Sequence, residues 1–276
     1  MKVLVTGANG YIGRHVVAAL LDKGCDVVAC DIVLEDMDKR ATGRIINIFE
    51  KPADDLFVTL GSPDACVHLA WRNGFQHFAD TQIGDLSSHY AFLTALISQG
   101  LGQLAVMSTM HEVGYWEGKI SEDTPCNPMS YYGIAKYSLR QALTVFCARN
   151  NCILQWLRGY YILGDDTRNH SIFAKIVEAE KAGKSTFPFT SGKTKYDFID
   201  IDELASQIAA VILQKTVAGV IDCCSGEPVS LGEKVEAFIR DNGFSIRLDY
   251  GAFPDRPYDS PVVYGDNAKI KQILGK

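Results

Sequence analysis

The chain has 276 residues, 47% of them hydrophobic and 22% charged, with a formal net charge of −6. That is ample apolar mass for a folded core, and an acidic balance without a basic block argues against nucleic acid as a partner. No apolar run approaches the ~18 residues of a membrane span and the N-terminal run lacks the features of a secretory signal, so a cytoplasmic protein that does not enter the membrane is expected.

In chain order, strands are expected at Val3–Thr6, Val27–Cys30, Arg44–Ile48, Ala65–Leu69, Leu104–Ser108 and Ile153–Leu157. Helical patterns lie between them at Gly13–Lys23, Leu86–Gln99 and Tyr132–Asn150. This alternation predicts an α/β fold, a doubly wound parallel sheet with helices on both faces. Beyond Gly164 the pattern loosens, with helices at Ser171–Ala182, Ile201–Gln214 and Leu231–Asn242 and strands at Val220–Cys224 and Ser245–Tyr250, then a loop at Pro254–Pro261. The expected division is a Rossmann domain over 1–164, rejoined by 198–224, and a smaller interleaved substrate lobe from 165–197 and 225–276.

The first strand runs into Gly7-Ala-Asn9-Gly10-Tyr11-Ile12-Gly13 and then a helix. Gly7 allows a tight turn, Gly10 lets the backbone approach phosphate oxygens, and Gly13 lets helix and strand pack closely. The helix N-terminus offers unpaired N–H groups and a positive dipole end to a pyrophosphate. The second strand ends at Asp31, eighteen residues after Gly13, where a carboxylate can accept ribose hydroxyls and favours NAD over NADP. The eight cysteines form no Cys-x-x-Cys pair and read as reduced, small apolar residues. His111-Glu112 begins like a metalloprotease helix, but Tyr115 stands where the second histidine belongs, so no metal is expected.

Hydride transfer at an alcohol carbon needs a group to carry the hydroxyl proton. Tyr132 and Lys136 lie four apart in a helical stretch, so phenol and ammonium share a face, and the positive charge favours the tyrosinate. Tyr115 and Lys119 have the same spacing amid Gly114 and Gly118, where a helix is not expected; Tyr131 has Ala135 as its fourth neighbour. A hydroxyl at the end of the fifth strand, Ser108 or Thr109, faces the ligand crevice of such a sheet.

These motifs, with Asp64-Ala-Cys-Val-His-Leu69-Ala70, Pro128-Met-Ser-Tyr-Tyr132-Gly-Ile-Ala-Lys136, Leu157-Arg-Gly-Tyr-Tyr-Ile-Leu-Gly164, Tyr196-Asp-Phe-Ile-Asp, Ile221-Asp-Cys-Cys-Ser-Gly226 and Asp255-Arg256-Pro-Tyr-Asp259, resemble the extended short-chain dehydrogenase/reductases, the NAD-dependent nucleotide-sugar epimerase/dehydratase family. The resemblance implies NAD as cofactor, with Asn47-Ile48 near the adenine and Leu69 and Ala70 beside the cofactor. It implies Tyr132, Lys136 and Thr109 as catalytic residues and a nucleotide sugar as substrate, with Ser108, His111 and Arg256 among its contacts, Arg256 on the diphosphate. A homodimer is expected. Two features depart from the family pattern. Aligning on Val113 without a gap puts Met110 in the hydroxyl position, and a one-residue bulge restores Thr109; the chain is also shorter than typical epimerases of the family. A C4 ketoreductase or dehydrogenase on a (deoxy)hexose leads, followed by a 4-epimerase with retained NAD and a 4,6-dehydratase; a non-catalytic NAD-binding regulator is the alternative of another class. His111 and Glu112 lie close enough in sequence to reach the sugar, so Glu112→Gln is expected to be tolerated in a reductase and crippling in a dehydratase.

Overall fold

The computed structural model describes residues 1–164, 171–255 and 260–276. Its first half runs β1 (Lys2–Thr6), α1 (Tyr11–Asp22), β2 (Asp26–Asp31), β3 (Thr42–Ile45), α2 (Leu56–Thr59), β4 (Ala65–His68), α3 (Thr81–Gly84), α4 (Leu86–Ser98) and β5 (Gln103–Thr109). A short β6 (Gly118–Ile120) precedes α5 (Tyr131–Arg149), β7 (Ile153–Gly159) and β8 (Tyr161–Leu163). The second half carries α6 (Ile172–Lys181), β9 (Thr186–Phe189), β10 (Lys195–Asp200), α7 (Ile201–Ile212) and β11 (Gly219–Cys223). It ends with β12 (Pro228–Ser230), α8 (Leu231–Asp241), β13 (Arg247–Tyr250), β14 (Val262–Gly265) and α9 (Ala268–Leu274).

Seven parallel strands in the order β11-β7-β5-β4-β1-β2-β3 form the main sheet. All seven residues of β5 and all four of β4 are buried, as strands covered on both faces must be. One face packs against α1, α7 and α9 through Val16, Leu20, Leu204, Ile208 and Ile270. The other packs against α4 and α5 through Phe92, Leu96, Leu139 and Leu143. The chain winds outward in opposite directions from β1 and β4, whose ends pair Thr6 with His68. That reversal opens a crevice at the carboxyl ends of the strands, where ligands of open α/β sheets bind.

A second sheet, β12-β10-β14-β6 with β8 also on β10, sits around Tyr160, Tyr196, Phe198 and Val263. A two-stranded β9-β13 ribbon packs with α6 and α8.

Several expectations shift. β3 starts two residues early and stops at Ile45, and Asn47 Oδ1 accepts the Phe49 N–H to turn the chain. α5 starts at Tyr131 because Ser130 Oγ caps it, accepting the Gly133 N–H at 3.2 Å. β6, β8, β14 and α9 were not expected; among the described residues β6 pairs with β14 alone, from the far end of the chain. No helix forms over Tyr115–Lys119, where Gly114 and Gly118 have φ of +81° and +92°.

Candidate active site

The glycine loop is shaped by contacts that a side chain would destroy. Gly7 has φ +68°, and a Cβ there would lie 2.6 Å from the Ala70 nitrogen. One on Gly13 would lie 2.0 Å from the Gly7 carbonyl oxygen. Gly10 is the extended N-cap of α1, with no side-chain cap and no acidic residue in the first turn. The first-turn amides at Tyr11, Ile12 and Gly13 are therefore offered to an anion. Leu69 and Ala70 are tied to β1, the Leu69 N–H donating to the Thr6 carbonyl (3.1 Å) and the Ala70 N–H to Thr6 Oγ1 (3.4 Å).

Asp31 accepts the Asn9 N–H at 2.9 Å and the Ile32 N–H at 2.8 Å, one on each oxygen. Each oxygen keeps a lone pair for a ribose hydroxyl. Asn9 Oδ1 accepts the Asp36 N–H. Arg40 is held by Asp22 and Asp38, both at 2.7 Å, so two carboxylates already neutralise it. Tyr11 and Ile12 pack against the core cluster under the sheet, and the Tyr11 ring closes on Gly164, where a Cβ would come 2.0 Å from the phenol oxygen. Asn47 is exposed and bonded to Glu50 at 3.2 Å, whereas Ile48 is buried. A cradle that backbone alone can fill, an uncapped helix start and a carboxylate at the end of β2 together fit a dinucleotide.

Next to that cradle, β5 ends at Thr109, which leads into a 3-10 turn, Met110–Glu112. Thr109 Oγ1 accepts the His111 N–H at 3.2 Å, and the Thr109 hydroxyl lies close enough to the Tyr132 phenol to act on its ionisation. Met110 turns into the apolar cluster of the second sheet. Of these two residues it is Thr109, and not Met110, that lies beside the tyrosine. Ser108 is buried on the α5 side of β5, and its hydroxyl has no partner among the described residues.

The Tyr132 N–H donates to the His77 carbonyl at 3.0 Å, and the His77 ring stacks on the phenol at 5.1 Å and 20°. One turn on, the Lys136 ammonium is buried, donates to the Met107 carbonyl at 2.7 Å, and lies 5.9 Å from the Tyr132 ring centre. Burial pushes the Tyr132 phenol up to about 12, with the nearby Thr109 hydroxyl opposing and the Glu112 charge adding. Burial likewise draws Lys136 down to about 7, against the pull of Glu112.

His111 faces the His77 ring at 4.5 Å and Tyr132 at 6.4 Å, and burial, with His77 adding, lowers it to about 4. Glu112 corrects the expectation made for it. It is fully buried and points away from the crevice, accepting Arg158 Nε at 3.0 Å and Trp156 Nε1 at 3.2 Å. Arg158 also donates to Asp222 at 3.2 Å, which accepts the Tyr160 hydroxyl at 2.8 Å. A Glu112→Gln change therefore acts on a buried ion pair.

Tyr115 is exposed on its loop and bonded to Glu117. Arg256 lies outside the described residues. Trp71 and His77 are parts of this site that the sequence motifs did not single out. Among the described residues no group of three or more His, Cys, Asp or Glu is placed to hold a metal ion, and no helix is long and apolar enough to cross a membrane.

Comparison with known proteins gives this arrangement a context. The profile of the NAD dependent epimerase/dehydratase family matches residues 3–223. A dTDP-6-deoxy-L-talose 4-dehydrogenase (NAD(+)) of Aggregatibacter actinomycetemcomitans is 42% identical over 269 residues, 96% of this chain and 99% of that protein. A GDP-6-deoxy-D-talose 4-dehydrogenase of the same organism is 23% identical over 279 residues, 100% of this chain and 92% of that protein. Among solved structures, a UDP-N-acetylglucosamine 4-epimerase from Methanobrevibacter ruminantium M1 superposes with a TM-score of 0.86 at 22% identity, over 100% of this chain and 92% of that one.

Proposed function

Because the chain belongs to the NAD dependent epimerase/dehydratase family, and is thus an NAD-dependent enzyme, we propose that it interconverts the C4 hydroxyl and C4 ketone of a nucleotide-linked 6-deoxyhexose. The observation that carries this reading is the convergence of Tyr132, Lys136 and Thr109 at the end of β5 beside the glycine cradle. When bound, NAD exchanges a hydride with the carbinol carbon. The protein's part is the proton. Tyr132 takes it from the C4 hydroxyl, Thr109 holds the phenol and the sugar oxygen in line, and the Lys136 charge favours the phenolate. Gly7, Asn9, Gly10, Tyr11, Ile12, Gly13 and Asp31 hold the dinucleotide, with Leu69 and Ala70 closing on it. A 4,6-dehydration also needs an acid and a base on the loop after β5, and Glu112 is committed to Arg158.

The two-part division at 164/165, 197/198 and 224/225 is adopted with an amendment: the smaller part also takes β6, β8 and the whole of β10. The eight free thiols, seven of them buried, support a cytoplasmic site of action. The exposed side chains of Ile83, Tyr90 and Val145, beside the groove between α4 and α5, support a homodimer through that face.

The test is to incubate the protein with NAD+ and dTDP-6-deoxy-L-talose, the compound named for the 42%-identical relative. NADH should accumulate with a 4-keto sugar. A C4-epimeric sugar formed without net NADH would replace this reading with a 4-epimerase.

A further inference from the structure

Lys136 is a buried ammonium without a carboxylate partner. Among the described residues no acid lies within ion-pair distance of it; the nearby Glu112 is engaged by Arg158 at 3.0 Å and Arg140 at 3.6 Å. A buried charge is costly unless something takes the place of water. Two groups do so here: the Met107 carbonyl at 2.7 Å, and the indole of Trp71, whose ring centre lies 3.6 Å from Nζ.

The indole is fixed in place. Its N–H donates to Gln82 Oε1 at 2.7 Å, and the Gln82 amide donates to the Asn73 carbonyl at 2.7 Å. The ring stacks on His89 at 4.3 Å and 15°. His89 is in turn hydrogen-bonded to His68 at 3.0 Å, and His68 to Thr6 Oγ1 at 2.8 Å. Thr6 is the last residue before Gly7, so one buried chain supports both the cofactor loop and the lysine.

We propose that Trp71 is a positioning residue for the reaction, its indole face holding the Lys136 side chain on its rotamer and in its charged form. The proposal rests on the proposed role of Lys136. An ammonium desolvated over an indole is the strongest geometry of cation–π attraction, and tryptophan is its best side chain. Other charges do not supply the same effect. Burial keeps His68 and His89, which pack beneath the indole, neutral, and His77 and His111 beside Tyr132 are lowered in the same way. Arg72 is paired with Asp85, and Arg140 faces Glu112. Tyr132 is uncharged until it gives up its proton, so Glu112 is the one anion acting on Lys136 from these neighbours.

Removing the indole should destabilise the charged lysine, lower its pKa and bring the alkaline loss of activity to lower pH. The experiment measures kcat/KM for NAD+-dependent oxidation against pH in wild type, Trp71→Leu and Trp71→Phe. Trp71→Leu should move the alkaline limb down by about one pH unit, and Trp71→Phe should recover part of that shift. A second readout uses the free protein: its tryptophan emission should titrate with a midpoint of about 7, and Lys136→Met should remove that transition. If Trp71→Leu does not fold, replacing tryptophan throughout with fluorinated tryptophan gives the same test at nearly unchanged shape. The limb should then fall with fluorine content, and not in a Trp71→Phe background. Superimposable limbs in wild type and the Trp71 variants, or in the fluorinated proteins, would overturn the proposal. A fully active Lys136→Met would instead sink the reading of the site itself.

Discussion

Replacing Glu112 by glutamine tests whether this acid belongs to the chemistry or to the core. The carboxylate is fully buried and accepts from Arg158 Nε at 3.0 Å and Trp156 Nε1 at 3.2 Å. A glutamine of the same shape can present its carbonyl to one of these donors, but its NH2 group then opposes the other. Stranding a buried charge altogether costs about 3–5 kcal/mol. That limit is not reached, because Arg158 keeps Asp222 at 3.2 Å and the Ser121 carbonyl at 2.9 Å. The loss of one charge-assisted hydrogen bond remains, about 2–3 kcal/mol. For a chain of this length the melting temperature should fall by roughly 4 °C. The variant is followed by circular-dichroism melting at pH 7, with turnover of the nucleotide sugar measured in parallel. Activity should fall only severalfold, because Thr109 and Tyr132 keep their contact while the turn between them and Arg158 loosens. A variant that melts with wild type yet loses on the order of 10² or more in kcat would show that Glu112 works on substrate, and would promote the dehydratase above the dehydrogenase.

Tyr132→Phe should lower kcat by on the order of 10² or more with NAD affinity nearly unchanged, whereas the exposed Tyr115→Phe should leave steady-state rates alone. Thr109→Val should lower kcat, while Ser108→Ala should be close to neutral because its hydroxyl makes no hydrogen bond among the described residues; the reverse order in kinetic assays would exchange their roles. Asp31 should make NAD(H) bind at least about tenfold, or 1.4 kcal/mol, more tightly than NADP(H), and a titration showing the opposite preference would end that assignment. Acid should destabilise the fold: burial lowers His89 to about 3 and His111 to about 4, so the unfolded chain takes up their protons first as pH falls below the ordinary histidine value. The stability these neutral rings contribute is present above about pH 6.5 and is lost toward their folded values, on the order of 2 kcal/mol each by pH 5. A melting temperature unchanged between pH 7 and pH 5 would contradict it.

The parts of the fold that could be read from sequence are those specified locally. β1, β4, β5 and α5 carry their apolar period within a few residues, and the central strands show the continuous hydrophobic runs of a sheet covered on both faces. β6, β8 and β14 are three or four residues long, too short to show a period. Their existence depends on partners elsewhere, Gly118 to Ile120 lying against Val263 to Gly265. α9 is a short amphipathic helix of about two turns whose Ile270 is buried in the cluster that also holds residues of α7. Propensity alone does not mark such a segment, and tertiary packing decides it.

The candidate site divides in the same way. Tyr132 and Lys136 are visible because four residues on a helix bring two side chains to one face. The glycine loop is visible because a backbone with φ +68° and contacts under 3 Å admits no side chain at Gly7. The choice between Thr109 and Met110 depends on the residue at which β5 stops, and a one-residue slip at a strand end sends each side chain to the other face. Glu112 was misread for a related reason. In a 3-10 turn successive side chains are about 120° apart, so with His111 against His77 at the crevice, the next residue is carried inward to Arg158. Trp71 and His77 sit on the irregular segment after β4, which has no period to read, and reach the tyrosine and lysine only once β4 and β5 are paired. A catalytic pair can therefore be found from its own spacing, while the groups that set its charge come from whichever loops the sheet order brings alongside.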